Sequence, residues 1–466
     1  MKPNTVFLER RRLLGGLVIA FALAAAGCSD GFGLPAGENV QDSSGGNGED
    51  ARIVPESPLL RYLEPKSGQI AFIGSDGNLH LTNQAGSSLV DLTADASADE
   101  VTGDLSVYQF PAWSPDGKQV AFIHLNANAS GEVSESRILV ADAAGKSDPV
   151  ELFDSVVERP IYLDWSPDGH YLTFLSEARY RSSLALYLLD AEAGGEPQVV
   201  DVGSPIFYAW NPAGDRIMIH DVQALEPFGG RLAVLSNFAG RVLEDDLAYT
   251  PVGFQTPAWS PDGDRALVAV QAEDPEDANL LALVDRSGQI TRELAEFELT
   301  ATFSWSPDGD HIAYVVPDDT AAGNRVGSLN VVGVEDEDFH LTSDQDNVFA
   351  YFWSPDGNKI AYFTPSTAQD ETTGEDVQYF YLRVLNIRNG EEVELGTFVP
   401  TQDMARLLQL FDLFQPDMTI WSPNSENLVI SALFQGENAV VVVLDASGQF
   451  DPRQVGSGFT AYWSPD

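Results

Sequence analysis

The chain has 466 residues, with 25 Lys or Arg against 71 Asp or Glu and a formal net charge of −46. Charge of that sign repels nucleic acid backbones and anionic headgroups, so nucleic acid is not an expected partner. The single cysteine excludes an intrachain disulfide, so a folded unit must be held by packing and strand pairing.

At the N-terminus, Lys2, Arg10, Arg11 and Arg12 precede an apolar run from Leu13 to Ala26. The run is shorter than the about 20 residues that a spanning helix needs, and polar chain follows at once. An export signal accounts for the charge and the apolar core, but not for the lone cysteine in Ala25-Ala26-Gly27-Cys28. Residues 1–28 resemble a bacterial lipoprotein signal with its lipobox. The resemblance implies removal of residues 1–27 and lipidation of Cys28 as the new N-terminus; the alternative is an unmodified thiol. At ~0.8 kcal/mol per buried methylene, two or more acyl chains hold a protein firmly at a membrane without spanning it. The expected location is extracytoplasmic, on a bacterial membrane. Ser29 suits outer-membrane sorting and the arginines loosely resemble a twin-arginine signal, but inner against outer membrane stays open. Losing four cations and Glu9 takes the net charge from −46 to −49.

Residues 28–60 are rich in Gly, Ser, Asp, Asn and Glu and lack apolar periodicity. They read as a flexible tether. Residues 61–466 form the expected folded domain, above the size at which one compact core stops growing.

All eight tryptophans of that domain open the same motif. Trp113, Trp165, Trp259, Trp305 and Trp353 each begin Trp-Ser-Pro-Asp-Gly, Trp210 begins Trp-Asn-Pro-Ala-Gly, and Trp421 and Trp463 begin Trp-Ser-Pro-Asn and Trp-Ser-Pro-Asp. They follow one another after 52, 45, 49, 46, 48, 68 and 42 residues. Apolar residues lead into each tryptophan, and the motif supplies a turn in which Pro presets φ, Asp bonds the local backbone and Gly takes a left-handed conformation. Second, third and fourth strands follow, as in Tyr171-Leu-Thr-Phe174, Leu186-Tyr-Leu-Leu-Asp190 and Pro149-Val-Glu-Leu-Phe153. Four short antiparallel strands per unit expose two apolar faces and two edges, which radial packing around a channel buries or shortens.

The ends of the domain decide between a ring and a solenoid. Residues 68–92 match the later strands of a unit without its tryptophan, and Phe459-Thr-Ala-Tyr-Trp463 is a first strand with nothing after it. The expected fold is therefore all-β: an eight-bladed β-propeller of four-stranded antiparallel blades, closed by the C-terminal strand joining the N-terminal blade. The alternative is a fragment whose last repeat continues past Asp466.

Trp-Ser-Pro-Asp-Gly followed by an Ile-Ala-Phe or Ile-Ala-Tyr strand resembles the WD-like propeller repeats of TolB-type proteins, over roughly residues 65–466. The resemblance implies a propeller of a kind found as periplasmic protein-binding scaffolds, as substrate-filtering domains of prolyl-oligopeptidase-like and tricorn-like peptidases, and in some oligogalacturonate lyases. The turns at Trp210 and Trp421 depart from the pattern. Ser425 replaces the turn glycine, so the left-handed position is expected to be held less easily there.

No Gly-x-Ser-x-Gly elbow occurs for a peptidase domain. His80, His124, His170, His220, His311 and His340 lack the spacing of a metal motif, although histidines from different blades could still meet in a channel. Calcium needs about six to eight converging oxygens, whereas the turn aspartates are spread about one per blade. No metal or cofactor is expected. The interval after Trp353 carries an insertion with Thr401 as a helix cap and Met404, Leu407, Leu408 and Phe411 at helical spacing. It reads as a helix packed on the propeller or as a partner-docking or channel-covering element; if exposed, it is the best protein-interaction candidate in the chain, with Leu407 and Phe411 as contacts. The expected function is a non-catalytic, membrane-tethered binding or scaffold module for a protein or peptide partner. The alternatives are a carbohydrate- or peptide-processing enzyme using the channel and a structural cell-envelope protein. Oligomeric state is left open.

Overall fold

The computed structural model describes residues 67–465 except 100, 178–182, 223–229, 253–254, 273, 275–276, 318–324, 370–373, 375, 415–418 and 435–437. The signal 1–27, Cys28 and the tether to residue 60 lie outside the described residues.

Eight antiparallel sheets follow one another along the chain and form the blades of a propeller. Blade 3 shows the common plan from the channel outward: Pro160–Trp165, Tyr171–Glu177, Leu184–Asp190 and Gln198–Gly203. Blade 1 is built from both ends of the domain. Its innermost strand is Gly458–Trp463, followed by Ile70–Gly74, Leu79–Thr82 and Val90–Asp91. Blades 2, 4, 5, 6 and 7 begin at Leu105–Trp113, Ile206–Trp210, Ala258–Trp259, Thr302–Trp305 and Ala350–Trp353. Two blades depart from four strands. Blade 2 gains a fifth, Ser97–Ala98, and blade 8 has three, with Trp421 joined to Leu428 by a single bridge.

One register repeats around the ring. Trp113 lies opposite Val120, Trp165 opposite Leu172, Trp210 opposite Ile217 and Trp305 opposite Ile312. Trp463 takes the same place opposite Ile70, and Tyr462, Ala461 and Thr460 follow opposite Ala71, Phe72 and Ile73. The pairing that elsewhere spans a tight turn here spans the whole domain. The ring is closed.

The motif shapes the turn through its short polar side chains. In blade 2, Ser114 Oγ donates to Asp116 Oδ1 at 2.8 Å and accepts from Gln119 N at 3.0 Å, while Gly117 takes φ 65°. The same Ser–Asp bond recurs at Ser166, Ser260, Ser306 and Ser354. In the divergent turn of blade 4, Asn211 Oδ1 replaces the serine oxygen and accepts from Arg216 N at 2.9 Å. Ser425 does adopt the left-handed conformation, with φ 59°. Its Oγ accepts from Asp356 N of the neighbouring turn at 3.0 Å, a contact that glycine could not make and that offsets part of the backbone cost.

Six of the eight indoles bond one blade to another, while Nε1 of Trp353 and of Trp463 is buried without a hydrogen-bond partner. Trp165 Nε1 donates to Ala112 O at 3.1 Å, Trp259 Nε1 to Ala209 O at 3.2 Å, and Trp305 Nε1 to Ala258 O at 3.1 Å. Trp421 Nε1 donates to Phe352 O at 2.9 Å and Trp113 Nε1 to Tyr462 O at 3.3 Å. In each case the acceptor belongs to the residue just before the previous blade's tryptophan. Trp210 donates instead to Thr173 Oγ1, which lies 3.4 Å from the equivalent carbonyl, Asp164 O. A large apolar ring that buries its one N–H against the previous blade contributes both packing and register.

Candidate functional site

All innermost strands run toward their tryptophan turns, so the ring has a turn face and an opposite face. The insertion enters from the opposite face by breaking the innermost strand of blade 8. Pro400 pairs with Ala432, and Leu433 N donates to Val399 O at 2.8 Å. Further along the same partner strand, Val429 N donates to Ile420 O at 2.8 Å and Leu428 bridges Trp421. Leu428 and Ala432 are four positions apart, whereas Pro400 and Trp421 are 21 positions apart, so 17 residues are extra within one strand.

Those residues carry helices α1 (Gln402–Gln409) and α2 (Phe411–Phe414). Thr401 is the N-cap expected from the sequence: its Oγ1 accepts from Met404 N at 3.2 Å and donates to Phe459 O of blade 1 at 2.5 Å. α1 lies against the innermost strand of blade 1 and the strand Asn427–Phe434 of blade 8, while α2 touches that of blade 6. Phe411 packs on Tyr351 and Phe352 of blade 7, with ring centroids 5.0 and 5.9 Å away. Leu413 O accepts from the Tyr162 hydroxyl at 3.3 Å. Tyr162 belongs to blade 3, across the ring from blade 7, so the helices cross the channel.

Met404, Leu407, Leu408 and Phe411, the four residues picked out by helical spacing, are all buried in the main core. Leu407 is 2% and Phe411 1% exposed, so their apolar surface is spent inside the chain. They were expected to serve as partner contacts only if exposed. The packed, channel-covering arrangement is the one observed.

Charged groups tie the crossing to the ring. Arg325 Nη1 donates to Gln409 O at 2.7 Å at the end of α1, and Nη2 lies 3.6 Å from Asp412 Oδ1. Burial nevertheless raises the Asp412 carboxyl, outweighing the Arg325 charge. Burial also raises Asp403 and lowers Arg406, one turn apart on α1.

A second charged cluster lies on the outer strands of blades 3 and 4. Arg231 meets Asp201 at 2.9 Å, Asp221 at 3.1 Å, Glu244 at 2.8 Å and Asp246 at 3.7 Å. Burial, then the neighbouring Asp221 charge, pushes the Asp201 carboxyl up to about 6 from its ordinary 3.8. A carboxyl raised in the folded state binds its proton more tightly there than in the unfolded chain. Its contribution to stability is therefore lost as pH rises from about 4 to about 6 and is level above that. The expected result is that Asp201→Asn gains stability relative to the parent across this window and holds the gain at neutral pH. Denaturant midpoints at several pH values check this; a difference that does not change with pH contradicts it.

The six histidines stay in separate surroundings. His80 contacts Asp91 at 2.7 Å and Asp76 at 3.0 Å, His124 bonds Ser106 Oγ at 2.8 Å, and His220 Nδ1 lies 2.8 Å from Gln255 O. His311 packs edge-on to Phe339, and His340 reaches Thr342 Oγ1 at 3.2 Å. Among the described residues no three His, Cys, Asp or Glu converge as metal ligands. The turn aspartates bond within their own turns.

His170 alone lines a cleft, and sequence reasoning missed this feature. The cleft has a volume of ≈ 680 Å³ and lies on the turn face across blades 2 to 4. Asp168, Asp190, Glu192 and Asp215 line it together with Tyr171 and Phe238. Tyr171 stacks within 8° of parallel on Trp210 at 6.5 Å, and Phe238 stands edge-on to both at 6.4 and 5.3 Å. Gly214 allows the turns to close around the cleft, since a Cβ there would lie 2.6 Å from the Asp168 carboxyl carbon. The named residues come from four turns of blades 3 and 4, and Gln119 of blade 2 completes the lining, a combination that no single motif reveals.

No family model matches the chain. A curated relative, an uncharacterized peptidase YuxL of Bacillus subtilis (strain 168), is 29% identical over 128 residues. The match covers 26% of this chain and spans only 18% of that protein. Among solved structures, an oligogalacturonate lyase of Vibrio parahaemolyticus is similar at 17% identity and TM-score 0.45, covering 81% of this chain and 98% of that one. The Dos1 propeller is similar at 11% identity and TM-score 0.48, covering 84% and 90%. A structure assigned to TolB from Agrobacterium tumefaciens gives 13% identity and TM-score 0.34, covering 72% and 91%. Propellers of this kind occur both as scaffolds and within enzymes, and at these identities no function passes from them to this chain.

Proposed function

We propose that the protein is a non-catalytic binding module that holds a protein or peptide partner at a bacterial membrane, anchored through lipid on Cys28. The observation that carries this reading is the pair of helices drawn across the channel, with Met404, Leu407, Leu408 and Phe411 in the core. A channel-based enzyme would need that space for its substrate. Here the chain's own residues occupy it, and a cleft of ≈ 680 Å³ lies apart from it on the turn face. The lipid anchor and tether are inferred from residues 1–60 alone and supply the membrane part of the reading.

The test compares the full chain with Cys28→Ser in a lipid-modifying bacterial host, with cross-linking before fractionation. The expected result is a parent protein in the membrane fraction cross-linked to a defined partner, and a variant released from the membrane. A purified chain that cleaves a polysaccharide or peptide catalytically would overturn the binding reading. An unmodified Cys28 in the mature protein would overturn the anchor.

A further inference from the structure

We propose that a projecting ribbon of blade 7 takes an extended segment of the partner as an added β-strand, rich in β-branched residues and basic at one end. This rests on the binding-module reading and adds the mode of binding to it. Strands Lys359–Gln369 and Asp376–Asn386 pair along their whole length, from Lys359 opposite Asn386 to Gln369 opposite Asp376. Their neighbours stop short. The innermost strand pairs only as far as Phe363, and the outer strand Glu392–Phe398 only as far as Phe380. The four pairs from Ser366–Tyr379 to Gln369–Asp376 therefore have no strand on either side among the described residues.

Backbone direction shows which groups stand open. Phe363 O accepts from Phe349 N at 2.8 Å, so Phe363 turns its backbone groups toward the innermost strand. Backbone groups alternate sides along a strand, so Pro365, Thr367 and Gln369 turn theirs the same way, past the end of that strand. Pro365 has no N–H to give and stands where an edge tolerates it. Thr367, Ala368 and Gln369 are exposed. An unpaired row of N–H and C=O groups is a template for another extended backbone, which identifies the occupant as a strand.

Charge sets this edge apart from others. The outer strands of blades 2, 4 and 5 carry Glu151, then Glu244 to Asp246, then Glu293 and Glu296, and charged side chains on an edge discourage pairing. Thr364 to Gln369 reads Thr-Pro-Ser-Thr-Ala-Gln, without a charge. Threonine pairs well across strands with threonine and other β-branched residues. Asp376, exposed, ends the paired ribbon, and the chain as a whole has a net charge of −46. A basic end is therefore attracted, whereas a second copy of this chain is repelled.

The test uses the full-length chain and a fluorescent heptapeptide, Thr-Val-Thr-Val-Thr-Lys-Lys, read by anisotropy at physiological salt. The expected result is binding that weakens at least tenfold when glutamate replaces both lysines. Two further peptides carry N-methyl groups on alternate residues, in opposite registers. One should lose binding and the other keep most of it, because only one row of peptide N–H groups faces the ribbon. Thr367→Pro, which removes an open N–H and no charge, should weaken binding at least tenfold. Gln378→Pro, opposite it on the outer side of the ribbon, should leave binding within twofold. Cooperative unfolding checks that both variants fold, and the methylated peptides read the unaltered protein. Equal binding of the two methylated peptides would overturn strand addition. Binding indifferent to Thr367→Pro, or lost with Gln378→Pro instead, would overturn the edge assignment. A membrane partner that still cross-links undiminished to the Thr367→Pro chain would sink this site while leaving the binding-module reading standing.

Discussion

Ending the chain after Ser457 should abolish cooperative folding of the whole domain. The lost strand supplies four consecutive partners to Ile70–Ile73, the carbonyl that accepts from Trp113, and the acceptor for the Thr401 cap. It also removes Trp463, which is 0% exposed, and Tyr462, which is 6% exposed. Truncating one buried aromatic residue to alanine costs about 3–5 kcal/mol, and a domain has about 5–15 kcal/mol in all. Two such losses together with the pairing exceed what the fold can absorb. Trp463→Ala alone should lower stability by about 3–5 kcal/mol and leave a cooperative transition. Thermal unfolding followed by circular dichroism distinguishes the outcomes. A truncated chain melting within a few degrees of the parent would mean that blade 1 is dispensable, as a terminal repeat in an open array can be.

The second large effect is expected inside the channel. Replacing Leu407 and Phe411 together by Asp should unfold the protein, because two carboxylates would enter a core beside Tyr351 and Phe352. The lost packing alone is about 5 kcal/mol or more, before any cost of burying charge. Excising residues 401–417 is expected to be milder despite being a larger change. Pro400 and the strand leading to Trp421 would then run continuously along Asn427–Phe434, restoring the common blade plan. The excised protein should retain cooperative unfolding, at lower stability because Tyr351 and Tyr162 lose their cover. Denaturant titration of both variants checks the pair. A folded double-Asp variant would show that these side chains are not packed as described.

Much of the fold was legible in the primary structure because each blade is specified locally. Trp-Ser-Pro-Asp-Gly carries its own turn chemistry, and the apolar runs beside it are long enough for strands but too short for most helices. Closure was legible for a different reason: Phe459–Trp463 and Gly68–Leu92 are complementary parts of one repeat. The extra and missing strands of blades 2 and 8 were not legible, because a two-residue strand such as Ser97–Ala98 has no periodicity to read. Helix α1 was visible in the spacing of Met404, Leu407, Leu408 and Phe411. Its partners were not, since nothing near Leu413 points to Tyr162, 251 residues away.

By itself the sequence determined the eight repeats, their turns, the order of strands within a blade and the strand that closes the ring. These depend on contacts between residues a few positions apart, or on one repeat that is split between two ends. Only the tertiary structure decided where the insertion goes and what surrounds it. The break in the innermost strand of blade 8 turns a surface-length excursion inward, and the ring then presents apolar side chains from opposite blades to both sides of it. The cleft arises in the same way, from turns that are ordinary singly and become an acidic, aromatic-walled hollow only when neighbouring blades set them side by side. Packing between distant repeats has no local signature, and for that reason the scaffold could be read from the chain while the candidate site could not.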